Sequence, residues 1–430
     1  NIKFDFDNAI LTSLTNELLA KNYKSIIPDN WSSWSEGSLS SSKIGDSLGS
    51  SSSETDAQAI ALGFDTKLND NDLLGFAVQY SKSDTDIGSS GSATDSENVN
   101  LSVYRTRPLN EDNFIFHGVT GTNGKTTTAF MAHNIMRELK RPSIYIGTLG
   151  AIINDDTIQT RGNTTPGIFE ILQILQSIKT KQKTYVFLEI SSHALEQKRL
   201  GSLTFFQTIL LNIQSDHLDY HQTYENYVSA KLSITKLNSK NPTIIFIDKI
   251  KDSLGSLSID QKKQLSKSAL LSANNSSAAF KYSLDYNSDQ SSKIDFDFPN
   301  ITLSTHASLF LKFNIENYIS ALALISDSIS SNDINCINKS SIKLPQGRGE
   351  ILRLKEGKIL IDFAHDHQSF KNILFELSKS YDEIILVFGC GGDRDKSKRS
   401  KMMKVAQEFA SKVIFTSDNN RYESFSSIYR

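Results

Sequence analysis

Cysteine is scarce in this chain of 430 residues, which contains only Cys336 and Cys390. Two cysteines so far apart exclude the disulfide framework of a small secreted domain and a cysteine-based zinc site, and they suit a reducing compartment. Long apolar runs are also missing, because no stretch reaches the roughly 20 residues that a transmembrane helix requires. The chain begins without the basic and apolar segments of a signal peptide. Its first residue is Asn1 rather than Met, which suggests a fragment or a processed start and leaves a preceding targeting segment as an open alternative.

An excess of charge of one sign is missing as well. The chain has 46 Lys and Arg residues against 48 Asp and Glu residues, which gives a net charge of -2. This balance argues against a general basic field for nucleic acid and against a disordered acidic tail. Anionic ligands must therefore be held by local groups. The length predicts about two to four domains, each with enough chain to bury a core.

Residues 31–110 are rich in Ser, Asp, Asn and Gly, and their apolar residues alternate with small or polar ones. The alternating positions are Ile60, Leu62 and Phe64 in one run, Leu74, Phe76, Val78 and Tyr80 in the next, and Val99, Leu101 and Val103 in a third. Such alternation predicts half-buried β-strands. The sequence NDND at 69–72 predicts a hairpin turn between the first two runs. A second hairpin is predicted with its turn at 108–112, which would pair the third run with the strand that begins at Phe114.

The same segment resembles several strands of an autotransporter-type outer-membrane β-barrel, in the phrases WSSWSEGSLSSSKIG and IALGFDTKLNDNDLLGFAVQYSKSDTDIG. A soluble β domain is the alternative, since it shows the same alternation. The segment offers about four or five strands, fewer than the roughly eight that close a barrel, so it cannot form a pore from one chain. A natural fusion, a recombined or misassembled gene, and the replacement of a lost first domain are the open explanations.

The most distinctive segment is 114–128, with the sequence FIFHGVTGTNGKTTT. An apolar, β-prone run is followed by a glycine turn and by Lys-Thr-Thr at a helix start, which is the pattern of a phosphate-binding loop. Gly121 and Gly124 are expected to allow turns that residues with side chains avoid, so that backbone N–H groups converge on phosphate oxygens. The spacing is not GxxxxGK[ST] but the shorter TGTNGKTT variant. The plainer alternative is a glycine turn that only joins a strand to a helix.

TGTNGKTT resembles the loop of the Mur ligase family, ATP-dependent enzymes that join an amino acid to a nucleotide-linked peptidoglycan precursor. Further motifs similar to those of the family follow in order. They are NTTP at 163–166, LEISSH at 188–193 with Gln197 and Arg199, NIQSDHLDYH at 212–221, AK at 230–231, FN at 313–314 with Asn317, GR at 347–348, DFAH at 362–365, FGCGGDRDK at 388–396 and TSDNNR at 416–421. The last two resemble the branch that adds the third residue of the peptide. Ordered matches over roughly three hundred residues are far more specific than one motif.

The resemblance implies a nucleotide site and a reaction. The residues implied to bind ATP are Gly121, Thr122, Asn123, Gly124, Lys125, Thr126, Thr127, Asn314, Asn317, Arg348 and Asp362. In the implied reaction the γ-phosphoryl of ATP is transferred to a carboxylate, and an amine then displaces phosphate from the acyl phosphate. The residues implied to be catalytic are Lys125, Glu189, His217 and Lys231.

Metal binding is implied for four side chains. Thr126 and Glu189 are expected on one Mg²⁺ and His217 on a second, while Lys231 would carry a carbamate, because an ammonium beside Mg²⁺ would be repelled. A purely structural role remains an alternative for three of these side chains. A buried carboxylate at Glu189 would be costly without a partner, His217 taken alone is a surface histidine, and helical lysines such as Lys231 usually face solvent.

Contacts with the substrate are also implied by the resemblance. The residues are Asn163, Thr164, Thr165, Ser191, Gln197, Arg199, Arg394, Asp418, Asn419, Asn420 and Arg421. In the family a DNPR form goes with meso-diaminopimelate, whose distal carboxylate a guanidinium can grip, so this amino acid is favoured over lysine. Arg421 is kept, but Asn420 replaces the proline and is expected to loosen the turn. Ser191, Gln197 and Arg199 could instead be ordinary residues at a helix start.

The pattern of apolar runs predicts an α/β fold. From 113 to 340 strands and helices alternate, with buried strands at 185–190 and 203–211 and a helix face within 167–179, as in a mostly parallel sheet covered on both faces. Such sheets bind ligands at the carboxyl ends of their strands, where the phosphate loop, Glu189 and His217 would meet. In 341–430 the expected elements are strands at 358–363, 383–389 and 412–416 and a helix at 400–411.

These patterns divide the chain into three predicted domains. They are an antiparallel, autotransporter-like β segment at 1–112, a P-loop-type central ATP-binding domain at 113–340, and a truncated Rossmann-like domain at 341–430. Nothing in 1–112 resembles the uridine-gripping domain that the family has there, and the last strands and helices of the family have no counterpart. The implied ligase is therefore expected to be incomplete and impaired.

The implied partners are UDP-MurNAc-L-Ala-D-Glu and a diamino acid, with no nucleic acid, no membrane for the ligase part, a monomeric state and a cytoplasmic location. An outer-membrane location is the alternative if the first segment directs export. A glutamate-adding ligase similar to folylpolyglutamate synthase is a second enzyme hypothesis, which SSHALEQ, DHLDYH and DNNR count against. In a third hypothesis the chain is a surface fragment whose ligase part is inert.

Overall fold

The structure is a computed structural model with two compact units, Asn1–Leu109 and Asn110–Arg430. It describes residues 31–44, 53–69, 72–87, 92–106, 113–154, 156–178, 180, 182–201, 203–214, 216–237, 239–287, 291–337, 343–393 and 396–429. Arg394, one of the predicted substrate residues, lies outside these ranges. The predicted turn at 108–112 lies outside them too. The predicted division of the second unit at residue 340 stays a prediction.

The first unit is an antiparallel sheet of four strands in chain order. The strands are β1 Trp31–Ile44, β2 Ser53–Asn69, β3 Asp72–Ile87 and β4 Ser92–Thr106. The predicted hairpin at 69–72 is confirmed, because β2 and β3 pair antiparallel on either side of it. Register places Tyr80 opposite both Ile60 and Val99, so the alternating apolar residues share one face. That face is open in the unit itself, with Leu101 80% exposed.

The second unit contains an eleven-stranded mixed sheet. Its strands are β5 Phe114–Thr120, β6 Ser143–Gly147, β7 Gly150–Ile153, β8 Asp156–Ile158, β9 Thr184–Glu189, β10 Phe205–Leu210, β11 Ile244–Phe246, β12 Ala269–Ser272, β13 Phe280–Asp285, β14 Ser292–Phe298 and β15 Ile301–Ala307. Their spatial order is β15-β14-β13-β12-β11-β10-β5-β9-β6-β7-β8. The seven strands from β13 to β6 are parallel, and antiparallel strands extend both edges. The predicted mostly parallel sheet is therefore confirmed.

The predicted second hairpin is wrong. β5 pairs in parallel with β9 and β10 in the large sheet, and β4 pairs with β3. The physical reason is burial on both faces of β5, where Phe114, Phe116 and Val119 are at most 9% exposed and the residues between them are also largely buried. A strand with apolar groups on both faces belongs in the middle of a covered parallel sheet, whereas β4 has one polar face.

Helices cover the large sheet. They are α1 Lys125–Glu138, α2 Ile168–Gln176, α3 Ser192–Glu196, α4 Leu218–His221, α5 Tyr224–Leu232, α6 Ile259–Leu265, α7 Lys312–Ile325 and α8 Ser331–Ile337. Short 3₁₀ turns occur at Ser233–Lys236, Ile247–Lys249, Lys251–Ser256 and Ser326–Ser328. α1 and α7 pack together over the sheet, and their buried side chains, such as Met131 and Tyr318, join one core with Phe187 and Phe246. Each such side chain stabilises the fold by roughly 1.5–3 kcal/mol.

The last part of the second unit has small sheets of its own. Its elements are the antiparallel pair β16 Arg348–Leu354 and β17 Gly357–Asp362, α9 His367–Ser378, the parallel pair β18 Ile385–Phe388 and β19 Lys412–Phe415, α10 Ser397–Phe409 and α11 Phe425–Tyr429. The predicted strands and helix agree with β17, β18, β19 and α10. Phe370, Phe388 and Met402 are the centre of a separate core. Within the described residues, no helix is long and apolar enough to cross a membrane.

Candidate active site

The site lies at the carboxyl ends of three neighbouring parallel strands. β5 lies between β10 and β9, and each pair is parallel, so all three strands end at the same edge. The loop 121–124 follows β5, Ile190 and Ser191 follow β9, and residues 211–214 and 216–217 follow β10. Strand order therefore brings the three predicted segments together, as the sequence pattern predicts for such a sheet.

The loop before α1 depends on glycine at two places for different reasons. Gly124 has φ 86°, in the left-handed region, and a Cβ there would overlap Oδ1 of Asn317. Gly121 does not have positive φ, so the prediction of an unusual turn at Gly121 is wrong. Its lack of a side chain matters because a Cβ would lie only 3.0 Å from Leu211 Cβ, in the next loop.

Residues of the segment after β10 brace this loop. Asn123 N–H donates to Asn212 Oδ1 at 2.9 Å, and Asn212 Nδ2 donates back to the Asn123 carbonyl at 2.9 Å. The Thr122 hydroxyl accepts from Gln214 N–H at 2.9 Å and lies 2.8 Å from the Tyr227 hydroxyl. Burial, the largest cause, raises the pKa of Tyr227, so this hydroxyl stays protonated. These contacts fix the shape of the loop.

Two lysines meet at one oxygen of the loop. Lys125 Nζ donates to the carbonyls of Gly121 at 2.9 Å and Thr122 at 2.8 Å, and Lys231 Nζ donates to the same Gly121 carbonyl at 2.7 Å. Lys231 is 2% exposed, although it lies in a helix. Burial first, and then the charge of Lys125, hold the pKa of Lys231 well below its usual range. Burial also lowers the pKa of Lys125.

Glu189 is the last residue of β9, is 0% exposed, and is surrounded by hydrogen-bond donors. Its Oε2 accepts from the Thr126 hydroxyl at 2.9 Å, and its Oε1 accepts from Thr148 N–H at 2.9 Å and from the Tyr145 hydroxyl. The pKa of Tyr145 is raised by burial and by the charge of Glu189. Gly147 provides the space, because a Cβ there would overlap the Glu189 carboxylate. The expected cost of a buried carboxylate is offset by these donors.

His217 lies at the start of α4 with φ 52°, beside the two lysines. Burial, the largest cause, lowers its pKa to about 4, so the imidazole is neutral at pH 7. Its Nε2 is 3.4 Å from Asp216 Oδ2, and Lys398 of α10 reaches Oδ1 of the same carboxylate at 3.3 Å. Burial opposes the ionisation of Asp216, but the charge of Lys398 and the hydrogen bond from the His217 backbone N–H outweigh it, so the pKa of Asp216 is lowered.

The donor set of this edge suits a hard divalent cation. Thr126 and Glu189 present two oxygens 2.9 Å apart, and His217 offers a neutral nitrogen, which is a softer ligand. In the described part of the chain there is no cluster of three or more His, Cys, Asp or Glu residues with metal-binding geometry. A cation here would therefore need hydroxyl, water or phosphate oxygens as ligands in addition to Glu189 and His217.

A cavity of about 140 Å³ adjoins the loop on the side of α7. Of the predicted ATP-binding residues, those that line it are Asn123, Gly124, Thr127, Asn314, Asn317, Arg348 and Asp362. The Arg348 guanidinium lies 4.3 Å from the centre of the Phe363 ring. Burial raises the pKa of Asp362, whose Oδ1 accepts from Ala364 N–H at 2.8 Å. Gly121, Thr122, Lys125 and Thr126 lie in the loop and helix start beside this cavity.

The NTTP turn and the SSH helix meet on the other side of Glu189. The Thr165 hydroxyl donates to the Glu189 carbonyl at 2.9 Å and accepts from Ser191 N–H at 2.9 Å. Ser191 caps α3 by accepting from Ala194 N–H, which agrees with the alternative that it is an ordinary residue at a helix start. Arg199 donates to the Thr165 carbonyl at 3.2 Å and to Gln197 Oε1 at 2.8 Å. Thr164 is half-buried, with its hydroxyl 3.4 Å from that of Thr148, and Asn163 is exposed.

The predicted amino-acid turn 418–421 borders a second, larger cavity of about 1610 Å³. Asp418, Asn419, Arg421 and His217 all line it, so the turn and His217 share one space. Two hydrogen bonds hold Asn420: Ser417 donates to its side chain at 3.1 Å, and its carbonyl accepts from Glu423 N–H at 3.0 Å. The expectation that the turn is looser than one with proline stays a prediction.

Several residues of the site have no separate signal in the sequence. Tyr145 and Thr148 bind Glu189, Asp216 joins His217 to Lys398, and Asp366 contacts Asn123 Nδ2 at 3.5 Å while it caps α9. Asp216 stands next to the predicted His217, which is a usable hint. The partners of Glu189 depend on the register of β6 on β9, and neither composition nor spacing reveals that register.

Comparisons with known proteins agree with this geometry. The family model "Mur ligase middle domain" matches residues 119–325, and "Mur ligase, glutamate ligase domain" matches 347–430. The model "Autotransporter beta-domain" matches 33–133. Its overlap with the first match covers the end of β5 and part of α1, which belong structurally to the second unit.

Two relatives from other bacteria bear the name UDP-N-acetylmuramoyl-L-alanyl-D-glutamate--2,6-diaminopimelate ligase. The protein from Wolinella succinogenes is 34% identical over 307 residues, which cover 71% of this chain and 67% of the relative. That from Helicobacter hepaticus is 34% identical over 351 residues, covering 80% and 72%. A solved structure with that name has a TM-score of 0.54 and 27% identity, covering 75% of this chain and 66% of its own. The chain thus spans about two thirds of the length of these relatives.

Proposed function

The chain belongs to the Mur ligase family, and from this premise we propose that its second unit is an ATP-dependent ligase of peptidoglycan precursor synthesis. The proposed reaction joins UDP-MurNAc-L-Ala-D-Glu to meso-diaminopimelate, in preference to lysine. The observation that carries the proposal is the hydrogen bond between Thr126 and Glu189, which unites the phosphate loop with the neighbouring strand end. A cytoplasmic location and a monomeric state are part of the same proposal.

The proposed chemistry begins at the substrate carboxylate, which is a poor electrophile at neutral pH. An oxygen of this carboxylate attacks the γ-phosphorus of ATP, and ADP leaves. The amine of the amino acid then attacks the carbonyl carbon of the acyl phosphate, the tetrahedral intermediate loses inorganic phosphate, and the nitrogen loses a proton. Lys125 would leave the carbonyls of Gly121 and Thr122 to contact phosphate oxygens, while loop N–H groups hold the triphosphate.

Magnesium, when bound, would neutralise charge on the phosphate and carboxylate oxygens. Thr126 and Glu189 would hold one ion, and their oxygens fit this role because they already lie 2.9 Å apart at the sheet edge. His217 would hold a second, because its lowered pKa leaves the imidazole unprotonated. Tyr145 and Thr148 orient Glu189 and occupy its other oxygen.

Lys231 would serve as a carbamate. Its neutral amine can attack CO₂ and lose a proton, which forms an N–C bond and turns a cation into an anionic ligand. The support is electrostatic, since Lys125 and Lys231 donate to the same Gly121 carbonyl and the second charge is disfavoured by burial. A carbamate would place an anion beside the Lys125 cation instead of a second cation.

The amino-acid preference rests on the turn 418–421. Arg421 borders the same cavity as His217, and a guanidinium there suits the distal carboxylate of diaminopimelate, which lysine lacks. On the opposite side, Arg199, with Gln197 and Thr165, would receive the acidic peptide of the nucleotide precursor.

Calorimetry of the whole chain with Mg²⁺ and a non-hydrolysable ATP analogue tests the nucleotide site. We expect Lys125→Ala to weaken binding by roughly tenfold to a hundredfold, since it removes a charge-assisted contact with phosphate. Lys281→Ala is the matched control, because Lys281 is a half-buried surface lysine on β13 that pairs with Asp297 on β14. Equal affinities for the wild type and Lys125→Ala would contradict the assignment. Phosphate release that needs ATP, the dipeptide nucleotide and diaminopimelate together would then establish the ligase reaction.

A further inference from the structure

Glu423, in the turn before α11, accepts hydrogen bonds from three segments. Arg399 of α10 binds both carboxylate oxygens, Nη1 to Oε1 at 2.8 Å and Nη2 to Oε2 at 2.6 Å. Asp393 N–H donates to Oε2 and the Ser427 hydroxyl to Oε1, each at 3.1 Å, and Lys396 Nζ is 3.3 Å from Oε1. The Glu423 side chain is 7% exposed. A shielded bidentate pair restricts orientation far more than a flexible surface ion pair does.

The Arg399–Glu423 pair holds the glycine loop that follows β18. Arg399 Nη2 also donates to the Gly391 carbonyl at 3.3 Å, and Glu423 accepts from Asp393 N–H. The Asp393 carboxylate in turn accepts from Tyr422 N–H at 2.9 Å. Gly391 and Asp393 are therefore both tied to the pair, and the residue between them has little freedom to move.

That residue, Gly392, contacts the predicted amino-acid turn directly. Its carbonyl accepts from Arg421 Nη1 at 2.6 Å, and its N–H donates to the Asn419 carbonyl at 2.9 Å. A Cβ at Gly392 would overlap the Asn420 carbonyl, so the two segments pack as closely as backbones can. The direction of the Arg421 guanidinium is thus set by a backbone carbonyl rather than by another side chain.

We propose that Glu423 and Arg399 are positioning residues for the amino-acid specificity of the enzyme. They hold the loop 391–393 so that the Gly392 carbonyl directs Arg421 toward an acidic group in the larger cavity. The inference rests on the proposed function, in which Arg421 recognises the distal carboxylate of diaminopimelate. A guanidinium that is already oriented loses less conformational entropy when it binds a carboxylate, and a misdirected one loses the bidentate geometry.

The test measures binding of meso-diaminopimelate and of L-lysine to the whole chain, by calorimetry with Mg²⁺ and a non-hydrolysable ATP analogue present. Glu423→Gln keeps the shape of the side chain and removes its charge, and we expect it to weaken diaminopimelate binding by about tenfold. Lysine binding should change by less than about twofold, because lysine has no distal carboxylate. Affinity for the nucleotide analogue should stay unchanged. Asp297→Asn, which removes an exposed ion pair with Lys281, is the matched control.

A second variant keeps the test decisive if Glu423→Gln does not fold. Arg399→Lys preserves the charge but loses the two-pronged contact, and it should lower the preference for diaminopimelate in the same direction. An equal loss of affinity for both amino acids, or no loss for either, would overturn the inference. Unchanged nucleotide binding in the same experiment would still support the ligase assignment. A wild-type chain that binds the nucleotide yet does not prefer diaminopimelate would instead contradict the proposed substrate and the inference with it.

Discussion

The hydrogen bond from Tyr145 to Glu189 leads to a quantitative prediction about the metal site. Tyr145→Phe removes only the hydroxyl, and the ring can keep its place because Tyr145 is fully buried. Glu189 retains its contacts with Thr126 and Thr148. The loss of one donor to a buried charged group should lower the free energy of unfolding by about 1.5–3 kcal/mol. Loss of a group that orients a metal ligand should weaken cation affinity by about tenfold or more.

The assay is Mn²⁺ binding followed by electron paramagnetic resonance, with urea unfolding measured in parallel. Tyr282→Phe is the control, because it removes a buried tyrosine hydroxyl from β13, which β11 and β12 separate from the strands of the site. The control should leave Mn²⁺ affinity unchanged. If Tyr145→Phe lowers stability but binds Mn²⁺ as tightly as the wild type, then Glu189 does not hold the cation and the reasoning fails.

Three further predictions concern the loop, the second lysine and acid stability. Gly124→Ala should abolish binding of the ATP analogue in calorimetry and lower the free energy of unfolding by about 1–3 kcal/mol. The reason is that φ at this position is 86° and the new Cβ would overlap Asn317. Unchanged binding would contradict the loop geometry. With ¹³C-bicarbonate, the wild type should show a carbamate carbon signal in nuclear magnetic resonance that Lys231→Met lacks, and a signal that persists in the variant would exclude Lys231. His117 is buried, its Nε2 has no hydrogen-bond partner among the residues that the structure describes, and burial lowers its pKa from 6.5 to about 4. Because the unfolded chain then binds more protons than the folded one, stability should fall by about 3 kcal/mol as pH decreases from 6.5 to 4. His117→Phe should flatten this part of the pH profile of unfolding, and a profile that does not change would show that other groups cause it.

The meeting of the phosphate loop, Glu189 and His217 is predictable from the sequence. Three apolar runs each end in a polar group, and parallel strands present such ends at one edge. The order β10-β5-β9, which makes them neighbours, is the contribution of the fold. The partners of Glu189 are not predictable, because Tyr145 reaches it through a pairing between strands some 40 residues apart in sequence.

The contacts of the turn at 418–421 are not predictable from its local sequence. A single substitution, Asn420 for the usual proline, suggests a loose segment when the local sequence is considered alone. Contacts from another segment add to the local ones: Gly392 N–H donates to the Asn419 carbonyl and Gly392 packs against the Asn420 carbonyl, and no local pattern encodes these contacts. The second predicted hairpin fails for a related reason, since burial of β5 on both faces outweighs the short connection that precedes it.

The missing side chain at Gly147 has a consequence for how the protein can vary. Any substitution there, whether small, large, polar or charged, pushes the same carboxylate away from its hydrogen-bond donors, so chemistry offers no conservative replacement. Gly167, at the start of α2, has open space around it and an ordinary φ of -70°. In a saturation mutagenesis library selected for function, position 147 should therefore accept glycine alone, while position 167 tolerates a broad set of residues.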